Sequence, residues 1–212
     1  MRNGGHVTVS VMGFARYQKR QGVSADELID AALTWQTEFL ANQAGIAFHA
    51  FLGNTRGGFA DAILAVDGKA FEEMSLRHSE TESSKALMNL LDLPSVRLCR
   101  SLILKDSVFP PEDFSCIEFG TFRMKPGTMA TEDTVRRASN HIEQTYLTGS
   151  ASTRLRFVGK IDEKTYCEVA FGNTLAETRR VCRGYVGHPD CQPLLELFDP
   201  ESVDLDFWYV LA

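Results

Sequence analysis

A chain of 212 residues, 44% hydrophobic and 24% charged, is long enough to bury a sizeable core and has the composition of an ordinary globular protein. Its formal net charge of −6 argues against a nucleic-acid partner, because affinity for a phosphate backbone rests on a concentrated basic face. The five cysteines, Cys99, Cys116, Cys167, Cys182 and Cys191, are odd in number and show no CxxC spacing, so reduced thiols are expected rather than a disulfide framework.

Met1 to His6 carry no apolar run of the signal-peptide kind, and no later segment approaches the roughly 20 apolar residues that cross a bilayer. The expected location is the cytoplasm, with no membrane partner.

In chain order, Val7, Val9 and Val11 alternate with Thr8, Ser10 and Met12, which predicts a first strand. Ser24 with Glu27 three positions on is a capping box, and behind it Leu28, Ala31, Trp35 and Phe39 recur at helical spacing. Two β-prone runs, 46–52 and 59–66, flank the turn Gly53-Asn54-Thr55-Arg56-Gly57-Gly58, a hairpin signal. A second helical region spans 69–91 with a break near 79–84, and a closing strand covers 96–104.

The same order then starts again. "LLDLPSV" at 90–96 and "LFDPESV" at 197–203 stand 107 positions apart, and sliding the chain by that offset brings identical residues together. Within 85–104 and 192–211 the identities are Leu87/Leu194, Leu90/Leu197, Asp92/Asp199, Ser95/Ser202, Val96/Val203, Leu98/Leu205 and Leu104/Leu211, where composition alone gives roughly one. Elsewhere Gly13/Gly120, Arg16/Arg123, Ser24/Thr131, Phe39/Tyr146, Phe59/Tyr166 and Asp61/Glu168 agree in kind. The second copy supplies a strand over 114–124, a helical stripe of Val135, Ala138, Ile142 and Tyr146, a hairpin of 153–159 and 165–171, a helical region over 175–198 interrupted at 187–189, and a last strand over 203–211.

The organisation is therefore β-α-β-β-α-β written twice: a first ferredoxin-like repeat over 7–104, a linker over 105–113 with two prolines, and a second repeat over 114–212. A four-stranded sheet with both helices on one side needs its other face covered, and a second copy can cover it. The expected fold is α+β, an intramolecular pseudo-dimeric barrel with a cavity between its sheets.

The phrases "IEFGTFRMKPG" (117–127), "YCEVAF" (166–171) and "FDPESV" (198–203) resemble the dimeric α+β barrel superfamily, which includes antibiotic-biosynthesis-monooxygenase-like and stress-responsive barrel proteins, here with two repeats fused in one chain. The resemblance implies a small-molecule-binding barrel, with cofactor-independent monooxygenase-like chemistry on an apolar or aromatic substrate as one reading. A non-catalytic metabolite-binding or stress-linked structural protein is the other. It implies a chain that is its own pseudo-dimer or a homodimer, and no cofactor set could be matched to it.

Candidate acids are Asp61 and Glu168, which occupy the same position of the third strand in each copy, and Glu118, whose counterpart is Val11. A carboxyl in an apolar strand costs free energy to bury, so each is read either as a cavity-facing general base with a raised pKa or as a structural acid, Asp61 and Glu168 paired with Arg16, Arg123 or Arg156 and Glu118 in a salt bridge to a basic partner across the sheet. His49, Tyr166, Phe59 and Trp208 are candidate ligand contacts, with core packing as the alternative for the aromatic residues. Cys182, His188 and Cys191 match no structural zinc spacing, and no metal site is expected.

Overall fold

In the computed structural model, which describes residues 7–212, the first strand starts later than the valine alternation suggests. β1 is Val11–Tyr17, and Val9 stands ahead of it in a single bridge to Val108. His6 and the leader reading of Met1 to His6 lie outside the described residues.

α1, Ala25–Glu38, begins at the expected reciprocal box: the Ser24 hydroxyl accepts from the Glu27 N–H at 3.1 Å and the Glu27 carboxylate accepts from the Ser24 N–H at 2.8 Å. Its buried stripe is Leu28, Ala32 and Trp35, continued by Phe39 at the cap; Ala31 sits at the edge of this stripe, half-buried. β2, Ile46–Asn54, and β3, Phe59–Ala65, form the hairpin. The Asn54 side-chain oxygen closes its turn by accepting from the N–H groups of Arg56 and Gly58, and Gly57 supplies the φ of +81°.

The helical region after the hairpin is two helices, α2 at Gly68–Arg77 and α3 at Glu82–Leu90, separated by a 3-10 turn over His78–Glu80. Thr81 caps α3, which is why the helix restarts there. β4 follows at Arg97–Ile103.

The second copy repeats the order with β5 at Cys116–Arg123, α4 at Glu132–Gln144, β6 at Thr153–Lys160, β7 at Thr165–Gly172, α5 at Leu175–Arg183, α6 at Gln192–Leu195 and β8 at Asp204–Val210. Thr131 caps α4 through the Thr134 N–H, but Thr134 cannot return the bond as Glu27 does, so this cap is one-sided. The interruption expected at 187–189 falls between α5 and the 3-10 turn Pro189–Cys191.

Two compact units result. One runs through Arg100 and takes in Ser107–Pro110 and Val210–Ala212; the other comprises Ser101–Asp106 and Pro111–Tyr209. In the first, β3 lies between β1 and β2, antiparallel to both, and Phe51 exchanges backbone bonds with Leu211 and Ala212. In the second, β5 pairs β8 and β7, β7 pairs β6, and Leu102 and Ile103 pair Lys160 and Gly159.

Each unit packs helices on one sheet face. Leu28, Trp35, Phe71, Met74 and Leu87 meet Val11, Phe59 and Ile63 in the first; Val135, Ile142, Leu194 and Phe198 meet Phe122, Val158 and Tyr166 in the second. The glycines shared at one offset serve close approach. A Cβ on Gly13 would stand 2.3 Å from the Phe71 ring, and one on Gly120 would stand 2.9 Å from Leu205.

The repeated phrase is a joint. In each copy it ends in a 3-10 turn, Leu93–Ser95 or Pro200–Ser202, whose serine oxygen accepts a backbone N–H, from Gln18 in one case and Arg123 in the other. Gln18 corresponds to Lys125 in the repeat, so the second joint docks two positions earlier along its strand. That slip leaves Tyr17 free for another task in the first unit, whereas its counterpart Met124 bridges Phe198.

Candidate functional site

Strand alternation puts Phe59, Asp61 and Ile63 on one face of β3, and Tyr166, Glu168 and Ala170 on one face of β7. In both units that face turns toward the unit's own helices. The expected cavity-facing orientation of the acids is therefore replaced by a sheet–helix interface, because the residues able to neutralise them sit on the second strand and on the helices.

In the first unit the Asp61 carboxylate accepts from the Tyr17 hydroxyl at 2.6 Å and meets His49 Nε2 at 2.8 Å. His49 Nδ1 is buried without a hydrogen-bond partner. The Trp35 indole lies edge-on to His49 and donates to His78 Nδ1 at 3.2 Å. Burial lowers the His78 pKa against the opposing field of Asp61, and burial raises the Tyr17 hydroxyl well above its ordinary value with Asp61 adding to it. Tyr17 and His49 are the groups that bond the Asp61 carboxylate, and Trp35 and His78 pack around them.

The second unit solves the same position with a cation. Arg156 corresponds to His49 at the repeat offset, and its Nε donates to Glu168 at 2.7 Å and to the Tyr185 oxygen at 3.0 Å. Its Nη1 donates to the carbonyl and hydroxyl of Ser139 at 3.0 and 2.8 Å, and lies 3.6 Å from Glu143. Arg156 is the largest fully buried side chain among the described residues, and its Nη2 has no hydrogen-bond partner there. Burial alone would lower the guanidinium pKa; the carboxylate of Glu168, with Tyr185 and Glu143, outweighs that and holds it above the ordinary value.

Glu118 joins this cluster from β5. It pairs Ala170 while Gly120 pairs Glu168, so the two carboxyls are diagonal neighbours on one face, and Gly120 presents no side chain between them. The Cys182 thiol from α5 bonds the Glu118 carboxyl. Burial, and then the Glu168 carboxylate, push Glu118 up to about 8, against the Cys182 bond and the Arg156 charge that favour its ionised form. Burial and the same acid push the Cys182 thiol well up, so it stays protonated and its role is that of a donor.

The sequence candidates therefore divide. Glu118 and Glu168 meet in one cluster, and Asp61 and His49 in another. Tyr166 stacks with Phe122 and packs on Phe198, and Phe59 stacks on Phe51, so both stand in helix-side cores. Trp208 pairs Ile117, the neighbour of Glu118, and alternation sets it on the opposite sheet face from the acids. Of the proposed cation partners, Arg156 binds an acid at this site. Tyr17, Tyr185, Ser139 and Cys182 were missed; the last three fall on helices or turns, where spacing signals a core stripe and says nothing of a strand acid beneath.

Among the described residues no group of three or more His, Cys, Asp or Glu could hold a metal ion, and no helix is long and apolar enough to cross a membrane. Cys182 faces Glu118, while His188 lies 3.8 Å from Asp190 on the exposed side of its turn.

No protein-family model and no curated protein matches the chain. Solved structures do. The chain is similar to a candidate monooxygenase from Fusobacterium nucleatum subsp. nucleatum at 11% identity and a TM-score of 0.68, over 97% of this chain and 94% of that one. It is similar to an uncharacterised ferredoxin-fold protein related to antibiotic biosynthesis monooxygenases from Listeria monocytogenes at 10% identity and a TM-score of 0.54, over 97% of both chains. A heme-binding protein from Thermus thermophilus matches at 9% identity and a TM-score of 0.60, over 100% of this chain and 96% of that one. At such identities the likeness establishes the fold: two tandem ferredoxin-like repeats of the α+β barrel type, shared with antibiotic-biosynthesis-monooxygenase-like proteins.

Proposed function

We propose that the protein is a cytoplasmic small-molecule-binding barrel, a pseudo-dimer within one chain, that abstracts a proton from an apolar or aromatic substrate without a cofactor, with Glu118, reached from the helix side of its sheet and not from a cavity between the sheets, as the base. The observation that carries this reading is the pairing of Glu118 with Glu168 under a single buried guanidinium, in the one repeat that has an acid at this strand position. A carboxyl that titrates near 8 is matched to a phenol or an activated aromatic C–H, since a general base works best when its pKa lies near the working pH. The anion so formed is the electron donor that dioxygen, the co-reactant of a monooxygenase, requires. Arg156 and Cys182 stand beside the base as the groups that hold its charge and its orientation.

A second reading, a metabolite-binding barrel without catalysis, is supported by the bonds that Glu168 and Arg156 already make, since networks of this kind also occur as scaffold. Oxygen uptake with anthrone- and quinol-type substrates separates the two. The enzyme reading expects turnover that falls by roughly 10²-fold or more in Glu118→Gln, the usual scale for a lost general base. Retention of such a ligand with no oxygen consumption supports binding alone.

A further inference from the structure

Beyond that reading, the second unit carries an open cleft of about 200 Å³ between the end of α4 and α5, lined by Tyr146, Leu147, Gly149, Ser150, Arg180 and Val181. At the repeat offset these positions are Phe39, Leu40, Asn42, Gln43, Glu73 and Met74. In the first unit Phe39, Leu40, Gln43 and Met74 are buried, and the Gln43 amide reaches back to the Phe39 carbonyl at 3.1 Å, so the corresponding corner is filled by side chains. The second copy shortens three of them, Asn42 to Gly149, Gln43 to Ser150 and Met74 to Val181, and reverses one charge, Glu73 to Arg180.

The floor of the cleft is held in place. The Tyr146 hydroxyl donates to the Val181 carbonyl at 2.7 Å, and Gly184 makes room for it, since a Cβ there would stand 2.0 Å from the hydroxyl oxygen. Tyr185 and His188 brace the Tyr146 ring edge-on, at 5.2 and 4.7 Å between centroids. Arg180 meets Glu177 at 3.7 Å, an exposed pair that a ligand can displace at little cost. Ser150 adds a hydroxyl within hydrogen-bond reach of the Ser152 and Thr153 hydroxyls at 3.1 and 3.3 Å, whose proton can turn to a ligand acceptor.

We propose that this cleft binds a single-ring aromatic carboxylate, its ring against Tyr146, Leu147 and Val181 and its carboxylate on Arg180 and the Ser150 hydroxyl. The volume, below the roughly 300–1,000 Å³ of pockets for drug-sized molecules, covers one substituted ring. The charge sets the class, because a guanidinium recognises a planar carboxylate through two parallel bonds.

The test is a titration of ¹⁵N-labelled full-length protein with benzoate and with benzamide, its neutral isostere. Saturable shifts at Gly149, Ser150 and Val181 are expected with benzoate, at least fivefold tighter than with benzamide. Arg180→Glu, which restores the charge of the first copy, should weaken benzoate by tenfold or more. Gly149→Asn, at a position where an added Cβ meets nothing within 4 Å, should weaken both ligands while the far-UV circular dichroism stays unchanged. Absence of saturable shifts overturns the proposal, and so does equal affinity for the two ligands that Arg180→Glu leaves intact.

Discussion

In the first unit Asp61 is held by the Tyr17 hydroxyl and the His49 ring, both of which can serve it uncharged. In the second unit Glu168 is held by the guanidinium of Arg156, and a further acid, Glu118, stands where the first copy has Val11. The same strand position has thus been neutralised in two ways. The difference teaches why one unit is a candidate for acid–base work: a buried cation supports more than one carboxyl, and the carboxyl left without the salt bridge is the one whose proton becomes labile near neutral pH.

Removing the cation should separate the units most sharply. Arg156→Met takes the guanidinium from buried Glu168 beside Glu118, while Glu143 keeps its pair with Lys105, and a loss of roughly 3–5 kcal/mol in urea unfolding is expected at neutral pH. A loss under about 1 kcal/mol would mean that water reaches the pair.

The pH dependence comes next. The folded pKa of Glu118, about 8, lies above its ordinary value of 4.5, so the folded state holds the proton more tightly. Its contribution to stability is complete below pH 4.5 and is lost as pH rises toward 8, with a slope of at most about 1.4 kcal/mol per pH unit. Glu118→Gln should flatten the unfolding free energy across that window relative to wild type. Parallel curves for the two proteins would contradict the raised pKa.

His49→Leu in the first unit should cost less than the arginine substitution, about 1–3 kcal/mol, because Tyr17 still donates to Asp61 and a single hydrogen bond is lost. The smallest contrast is in the caps. Ser24→Ala removes the hydroxyl half of a reciprocal box and leaves the Ser24 N–H on the Glu27 carboxylate, while Thr131→Ala removes the hydroxyl that caps α4 with no such bond behind it; each should cost about 1 kcal/mol, the second more than the first, both read from thermal unfolding.

Much of this architecture was legible. Caps, hairpin turns and helical stripes are local, and the repeat doubled each signal: Ser24 and Thr131 mark helix starts, and the two "LxDxxSV"-type joints mark strand starts in both copies. The acids were legible too, since Asp61 and Glu168 interrupt apolar strands at one offset. What sequence could not supply was the face they occupy. Alternation fixes that Glu168 shares a side with Tyr166, but the helix-side partners Tyr185, Ser139 and Cys182 belong to segments whose spacing is set by core packing. Reading the offset for partners as well as for acids would have joined His49 to Arg156. The two-residue slip at the joint, which frees Tyr17, has no sequence mark at all.

The raised proton affinity of Glu118 is the point on which the functional reading turns. A ¹³C titration of its carboxyl, assigned by comparison with Glu118→Gln, is the most direct measurement. A midpoint near 8 is predicted, displaced downward when Glu168→Gln removes the neighbouring charge. A midpoint between 4 and 5 in wild type, unchanged by that substitution, would contradict the account.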